Sequence, residues 1–199
     1  MTNDKEKKKQ AQQIYEKGLD LANQSENDEA LDCMLKAIEL DPELAPAWYN
    51  IGNFYYYIKA DFKKSFEYWE KALELKPDYV DLLYNMANAY REQQISDKAI
   101  ELYKRVVEIA PDDHEAYNNM ANAYLDKGQV DEAIECYKKA IEIKPDKIET
   151  WWNLAVVCYK AKKYDLALGF CEKAIEIKPD SWRLKDLKEA ILKGINESK

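Results

Sequence analysis

"NMANAY" stands at residues 85–90 and again at residues 119–124, an interval of 34 residues. The prolines keep nearly the same interval: Pro42, Pro77, Pro111, Pro145 and Pro179 are spaced by 35, 34, 34 and 34 residues. Each closes a similar run: KAIELDP, KALELKP, RVVEIAP and, twice, KAIEIKP. Proline lacks the backbone N–H and disfavours helix in the residue before it, so each run predicts a helix end. Asp78, Asp112, Asp146 and Asp180 follow directly and are placed to cap the next helix.

Two helical patterns lie between successive prolines. Leu83, Met86, Ala87 and Tyr90 recur at i, i+3, i+4 and i+7, one face of a helix, and Ala99, Tyr103, Val106 and Val107 form a second face. The next unit repeats both, with Tyr117, Met120, Ala121 and Tyr124, then Ala133, Tyr137, Ala140 and Ile141. Small residues recur at the eighth place of each unit (Gly18, Gly52, Ala87, Ala121, Ala155), where the paired helices must approach closely. Composition agrees: 47% of the 199 residues are apolar, and only five glycines and six prolines argue against a turn-rich β fold.

Trp48, Ile51, Gly52 and Tyr55, and again Trp151, Leu154 and Ala155, stand at the spacing W-x2-L-G-x2-Y. In these residues and in its period the chain resembles the tetratricopeptide repeat (TPR) family. The resemblance covers five repeats, at 11–44, 45–79, 80–113, 114–147 and 148–181. It implies an all-α, right-handed α-solenoid of helix-turn-helix units, an α-α superhelix. Residues 1–10 form a basic N-terminal segment. Residues 182–199 read as a capping helix and tail, with Leu184, Leu187, Ile191 and Ile195 as its apolar stripe. Repeat one carries Lys17 where an apolar residue is usual, consistent with a wet outer side on the first helix. Repeat two is one residue longer, and the extra residue falls in the turn around YIKADF. Cys158 and Cys171 replace the usual aromatics of repeat five, leaving a smaller core there.

The resemblance implies that the first helix of each repeat lines the concave side of a superhelix where ligands bind. That face is carried by the second, fifth, sixth, ninth, twelfth and thirteenth residues of each repeat. Asn50, Asn85, Asn119 and Asn153 hold the sixth place, and Asn53, Asn88 and Asn122 the ninth. Asparagine is a mediocre helix former, so propensity does not explain this recurrence. Its amide offers a donor and an acceptor, matching the peptide bond. Two readings therefore stand: a ladder that holds an extended peptide through its backbone, and hydrogen bonding within or between the helices. Beside the asparagines lie Tyr49, Tyr84 and Trp152 at the fifth place, Asn118 in the same position of repeat four, and Tyr56, Arg91 and Tyr159 at the twelfth. Exposed rings there favour a protein interface.

Asp81, Glu115, Glu149, Glu92 and Asp126 share this face with Arg91 and Lys160. The excess of acid favours a neutral or basic peptide or protein as partner. It argues against the carboxylate clamp of some TPR co-chaperones, since Asp81, Tyr84 and Asn85 stand near where the third repeat would need basic groups. The net charge of −8 likewise argues against nucleic acid and anionic membrane. No run of about 18 apolar residues suggests direct membrane insertion, and MTNDKEKKKQ does not read as a secretory signal. The expected location is the cytoplasm.

The expected function is a non-enzymatic adaptor without cofactor or metal. His114 is the single histidine, near a turn, and no metal-spaced Cys/His cluster, P-loop or nucleophile elbow appears. Cys33, Cys136, Cys158 and Cys171 sit in apolar helical patterns as reduced small hydrophobes, with a Cys158–Cys171 disulfide as the alternative. A homo-oligomer is the alternative assembly: a scaffold in which basic KEKKKQ, or the terminal helix, docks into a second copy's acidic groove.

Overall fold

The structure is a computed structural model that describes residues 2–198. Eleven helices and no strands occur among the described residues. The chain divides into two compact units, Met1–Met86 and Ala87–Lys199, with the boundary inside helix α5 (Val80–Glu92).

In the first unit, α1 (Thr2–Asn23) pairs with α2 (Asn27–Leu40) and α3 (Ala45–Tyr57) with α4 (Phe62–Leu75), and α2 also packs on α3. Tyr15, Met34, Ala37, Ile38, Ala47 and Ile51 form one buried cluster, with Trp48, Tyr55 and Tyr68 packed against it. Trp69 is fully buried. A Cβ on Gly52 would lie 2.3 Å from the Trp69 ring, so the eighth place has no room for a side chain in this repeat. Residues 2–10 of the N-terminal basic segment belong to α1, and Lys8 Nζ lies 2.5 Å from Glu43 Oε2.

In the second unit, α6 (Ser96–Ile109) packs on α7 (His114–Asp126), which pairs with α8 (Val130–Ile143). α8 packs on α9 (Ile148–Lys160), which pairs with α10 (Tyr164–Ile177). α11 (Trp182–Glu197) lies against α9 and α10, burying Leu184, Leu187, Ile191 and Gly194 while Ile195 is half-buried. All four cysteines are free thiols, so no Cys158–Cys171 disulfide forms. The Cys171 thiol donates instead to the Leu184 carbonyl, 3.4 Å away.

The turns explain both the period and its one exception. A residue with positive φ recurs within each helix pair: Ser25 (65°), Ala60 (51°), Gln94 (61°), Gly128 (79°) and Lys162 (58°). The N–H of the next residue returns to the preceding helix, as in Ile95 to Tyr90 O (2.8 Å) and Gln129 to Tyr124 O (2.8 Å). This is the Schellman closure of a helix end. In repeat two the corresponding bond runs from Asp61 to Tyr55 O, one residue further back, and accommodates the inserted residue in the turn 58–61.

The aspartates after the prolines do not cap helices. Each Pro-Asp pair fills the centre of a β-turn, closed by Tyr79 N–H to Lys76 O (3.2 Å), Asp113 N–H to Ala110 O (3.1 Å), Lys147 N–H to Lys144 O (3.4 Å) and Ser181 N–H to Lys178 O (3.3 Å). The capping position therefore falls one residue later. Asp113 occupies it for α7 and accepts from the N–H groups of Glu115 and Ala116, both at 3.0 Å. Lys147 and Ser181 hold it for α9 and α11 without a side-chain cap bond.

Candidate peptide-binding face

The ninth-place asparagines reach the second helix of their own repeat. Asn53 Oδ1 accepts from Trp69 Nε1 at 3.1 Å, and Asn122 Oδ1 accepts from the Tyr137 hydroxyl at 2.6 Å. Asn88 Oδ1 accepts from the Tyr103 hydroxyl in the same way. Trp69, Tyr103 and Tyr137 are all buried, so each asparagine supplies an acceptor that water cannot. The two outer repeats lack both members of this pair. Repeat one has Leu19 and Met34 in the equivalent places, and repeat five has Val156 and Cys171. Donor and acceptor come and go together, as they must if each exists for the other.

The sixth-place asparagines tie neighbouring repeats. Asn50 Nδ2 donates to the Tyr15 hydroxyl and Asn85 Nδ2 to the Tyr49 hydroxyl, each at 2.7 Å. Burial pushes both phenols up, and hydrogen bonds from Asn50 to Tyr15 and from Asn53 to Tyr49 partly offset that push. Tyr79, a residue with no repeat signature, joins this group. Its ring centroid is 5.0 Å from that of Tyr49, and burial pushes its hydroxyl up to about 12. Only one half of the amide is used in the bonds of Asn50, Asn85, Asn88 and Asn122. All four are half-buried.

The rings divide differently from the expectation of an exposed set. Tyr56 is buried against Trp69 and Phe62, because the fully enclosed Trp69 ring gives it an apolar neighbour. Tyr84, Asn118, Asn119, Trp152, Asn153 and Tyr159 are half-buried. The Arg183 guanidinium lies 5.0 Å from the Trp152 ring centroid, and Tyr159 pairs with Tyr164 at 5.9 Å. Among the charges, Arg91 Nε lies 3.0 Å from Asp126 Oδ2, so two of the expected groove charges meet one another. Asp81, Glu115, Glu149 and Lys160 are exposed.

In the second unit the face opens into a cavity of about 400 Å3. Asn122, Leu125, Asn153, Val156 and Lys160, from the sixth, ninth, twelfth and thirteenth places, line it with Val130, Tyr137, Val157 and Ala161. No group of three or more His, Cys, Asp or Glu residues able to hold a metal ion occurs among the described residues. Among them, too, no helix is long and apolar enough to cross a membrane.

Helix pairs stacked at a fixed period, with polar side chains recurring on their first helices, define a helical-repeat interaction module. The TPR repeat model matches residues 18–58, 87–128 and 121–162, and further tetratricopeptide repeat models match 45–79, 68–101 and 148–181. The chain belongs to the tetratricopeptide repeat family, whose members are protein-interaction modules. Among solved structures it is similar to YrrB, described as a TPR protein with an unusual peptide-binding site. The identity is 27%, 88% of this chain and 90% of that one are covered, and the TM-score is 0.74. It shares its fold with residues 41 to the end of MamA from Desulfovibrio magneticus RS-1 (20% identity, 86% and 97% covered, TM-score 0.75). It also shares its fold with pilF of Pseudomonas aeruginosa (18% identity, 96% and 87% covered, TM-score 0.72). No curated protein matches it significantly.

Proposed function

We propose that this protein is a non-enzymatic adaptor that holds an extended segment of a partner protein along the first helices of its repeats, in the cytoplasm. The observation that carries this reading is the half-buried amide and ring lining of those helices within each unit, together with the cavity beside Asn122 and Asn153 in the second unit. The likeness to a TPR protein with a peptide-binding site supports it. The asparagines serve two purposes in this reading. One half of the amide holds the scaffold and the other half meets the ligand's backbone, at about 0.5–1.5 kcal/mol per bond. Exposed Asp81, Glu115 and Glu149 favour a ligand that is neutral or basic overall.

Docking of the basic N-terminal segment into a second copy has less support. That segment is helical, and its Lys8 is engaged with Glu43 of its own chain.

A phage-displayed random dodecapeptide library panned on the full chain tests the adaptor reading. Selected peptides should be neutral or basic in sum. They should lose affinity for the combined variant Asp81→Lys, Glu115→Lys, Glu149→Lys, whose substitutions fall on exposed side chains. Peptides that bind both proteins equally, or no enrichment at all, refute it.

A further inference from the structure

The repeat pattern changes toward repeats four and five. At the fifth position, repeats one to three carry Tyr15, Tyr49 and Tyr84, but repeat four carries Asn118. At the ninth, repeats two to four carry asparagine, but repeat five carries Val156. One amide and two large rings are thus exchanged for smaller or apolar groups around repeats four and five, counting Cys171 for the second-helix ring. Asn118 Oδ1 is buried there without a hydrogen-bond partner. Of these changed residues Val156 lines the cavity of about 400 Å3, whose apolar wall it forms with Leu125, Val130, Val157 and Ala161. Asn122 and Asn153 stand at its polar side, and Asn122 has spent only its carbonyl, on Tyr137. Lys160 is the single charged residue of the lining and makes no ion pair among the described residues.

We infer that this cavity is a specificity pocket for one aliphatic side chain of the bound segment, followed closely by an Asp or Glu side chain that meets Lys160. The inference rests on the adaptor reading and adds to it the ligand's local chemistry. An apolar recess with a few placed polar groups is the usual form of a recognition pocket. Burying a branched aliphatic side chain supplies affinity there through area removed from water. The Asn122 and Asn153 amides lie where the main chain flanking that side chain would pass, and they match its donor and acceptor. Elsewhere on the face the exposed charges are acidic, and Arg91 is neutralised by Asp126. Lys160 therefore accepts one acid within a ligand that is otherwise neutral or basic.

The same library, fused through its C-terminus so that only side-chain carboxylates are available, reads this directly. Peptides selected on the wild type should share a Leu, Ile, Val or Met within two residues of Asp or Glu. Val156→Asn, which restores the ninth-place residue of the middle repeats, should weaken them at least about fivefold in fluorescence polarisation. Lys160→Glu should weaken them several-fold and, when panned afresh, select Lys or Arg in place of the acid. Lys160 is exposed, so this variant remains informative even if Val156→Asn fails to fold. Selected peptides that lack the aliphatic–acidic pair, or that bind both variants as they bind the wild type, overturn the pocket. If those peptides still lose affinity for the Asp81, Glu115 and Glu149 reversal, the adaptor reading survives the pocket's failure.

Discussion

Replacing Asn122 by alanine separates the scaffold role of the ninth-place amide from its role toward a ligand. The Tyr137 hydroxyl donates to Asn122 Oδ1 at 2.6 Å, and the Tyr137 side chain is 1% exposed. Asn122→Ala removes the acceptor of this buried donor, at a cost of about 1–3 kcal/mol. Tyr137→Phe removes bond and donor together and should cost about 0.5–1.5 kcal/mol. In the double variant nothing is stranded, so its loss should fall short of the sum by about 1 kcal/mol. Repeats one and five are natural versions of that double change, with Leu19 and Met34, and Val156 and Cys171. Urea unfolding followed by circular dichroism measures all four proteins. Midpoints should be compared first, because stacked repeats can depart from all-or-none unfolding. An Asn122→Ala loss below about 0.5 kcal/mol, or strict additivity, refutes the reasoning. Alkaline pH supplies a second readout. Burial pushes the Tyr137 hydroxyl from 10.0 up to about 12. The folded state therefore holds this proton longer than the unfolded chain, and stability is lost as pH rises from about 10 through about 12. Tyr137→Phe should lose less of its own stability across that window.

Two further outcomes follow from the turns and the terminal helix. Gln94 and Lys162 hold left-handed backbone conformations, φ 61° and 58°, where the fourth repeat has Gly128. That conformation costs a side-chain-bearing residue about 1–2 kcal/mol, of which the greater freedom of an unfolded glycine returns about 0.5–1 kcal/mol. Gln94→Gly and Lys162→Gly should each stabilise by about 0.5–1 kcal/mol in thermal melts, and a lower melting temperature for both contradicts the turn assignment. Burial pushes the thiols of Cys136 (to about 11), Cys158 and Cys171 up, whereas Cys33 is half-buried. Ellman's reagent should therefore label Cys33 first in the native protein, and deletion of residues 182–199 should add Cys171. Equal rates for all the thiols would contradict the packing.

The architecture was legible because it is written five times. The proline interval, the eighth-place small residues and the extra residue of the second turn each correspond to a physical feature: β-turns, the Gly52–Trp69 approach and the longer Asp61–Tyr55 closure. Two local readings failed because they needed a partner or a turn geometry that spacing does not give. The Pro-Asp pairs sit inside β-turns, so the cap falls a residue later, at Asp113 in α7. Tyr56 is enclosed by Trp69 and Phe62, both from the second helix of its repeat. The asparagines are the intermediate case. Their two readings could have been separated by comparing each Asn with the residue 15 or 16 positions later. In every repeat with a ninth-place Asn that residue is Trp or Tyr, and in the others it is Met or Cys.

That comparison changes where specificity should be sought. In the adaptor reading proposed above, an amide that answers an internal Trp or Tyr donor offers the same backbone contact at each middle repeat, without distinguishing the ligand's side chains. Selectivity has to arise where the repeats differ. Asn118, Val156 and Cys171 are such differences, and Lys160 stands at the thirteenth place where repeats three and four carry Glu92 and Asp126. An internal exchange such as Val156→Asn with Cys171→Tyr should rebuild the middle-repeat bond in repeat five. By this logic it should leave the helices intact and erase the preference for an aliphatic side chain while general peptide binding persists. A rebuilt repeat that keeps its aliphatic preference would show that the selection lies elsewhere on the face.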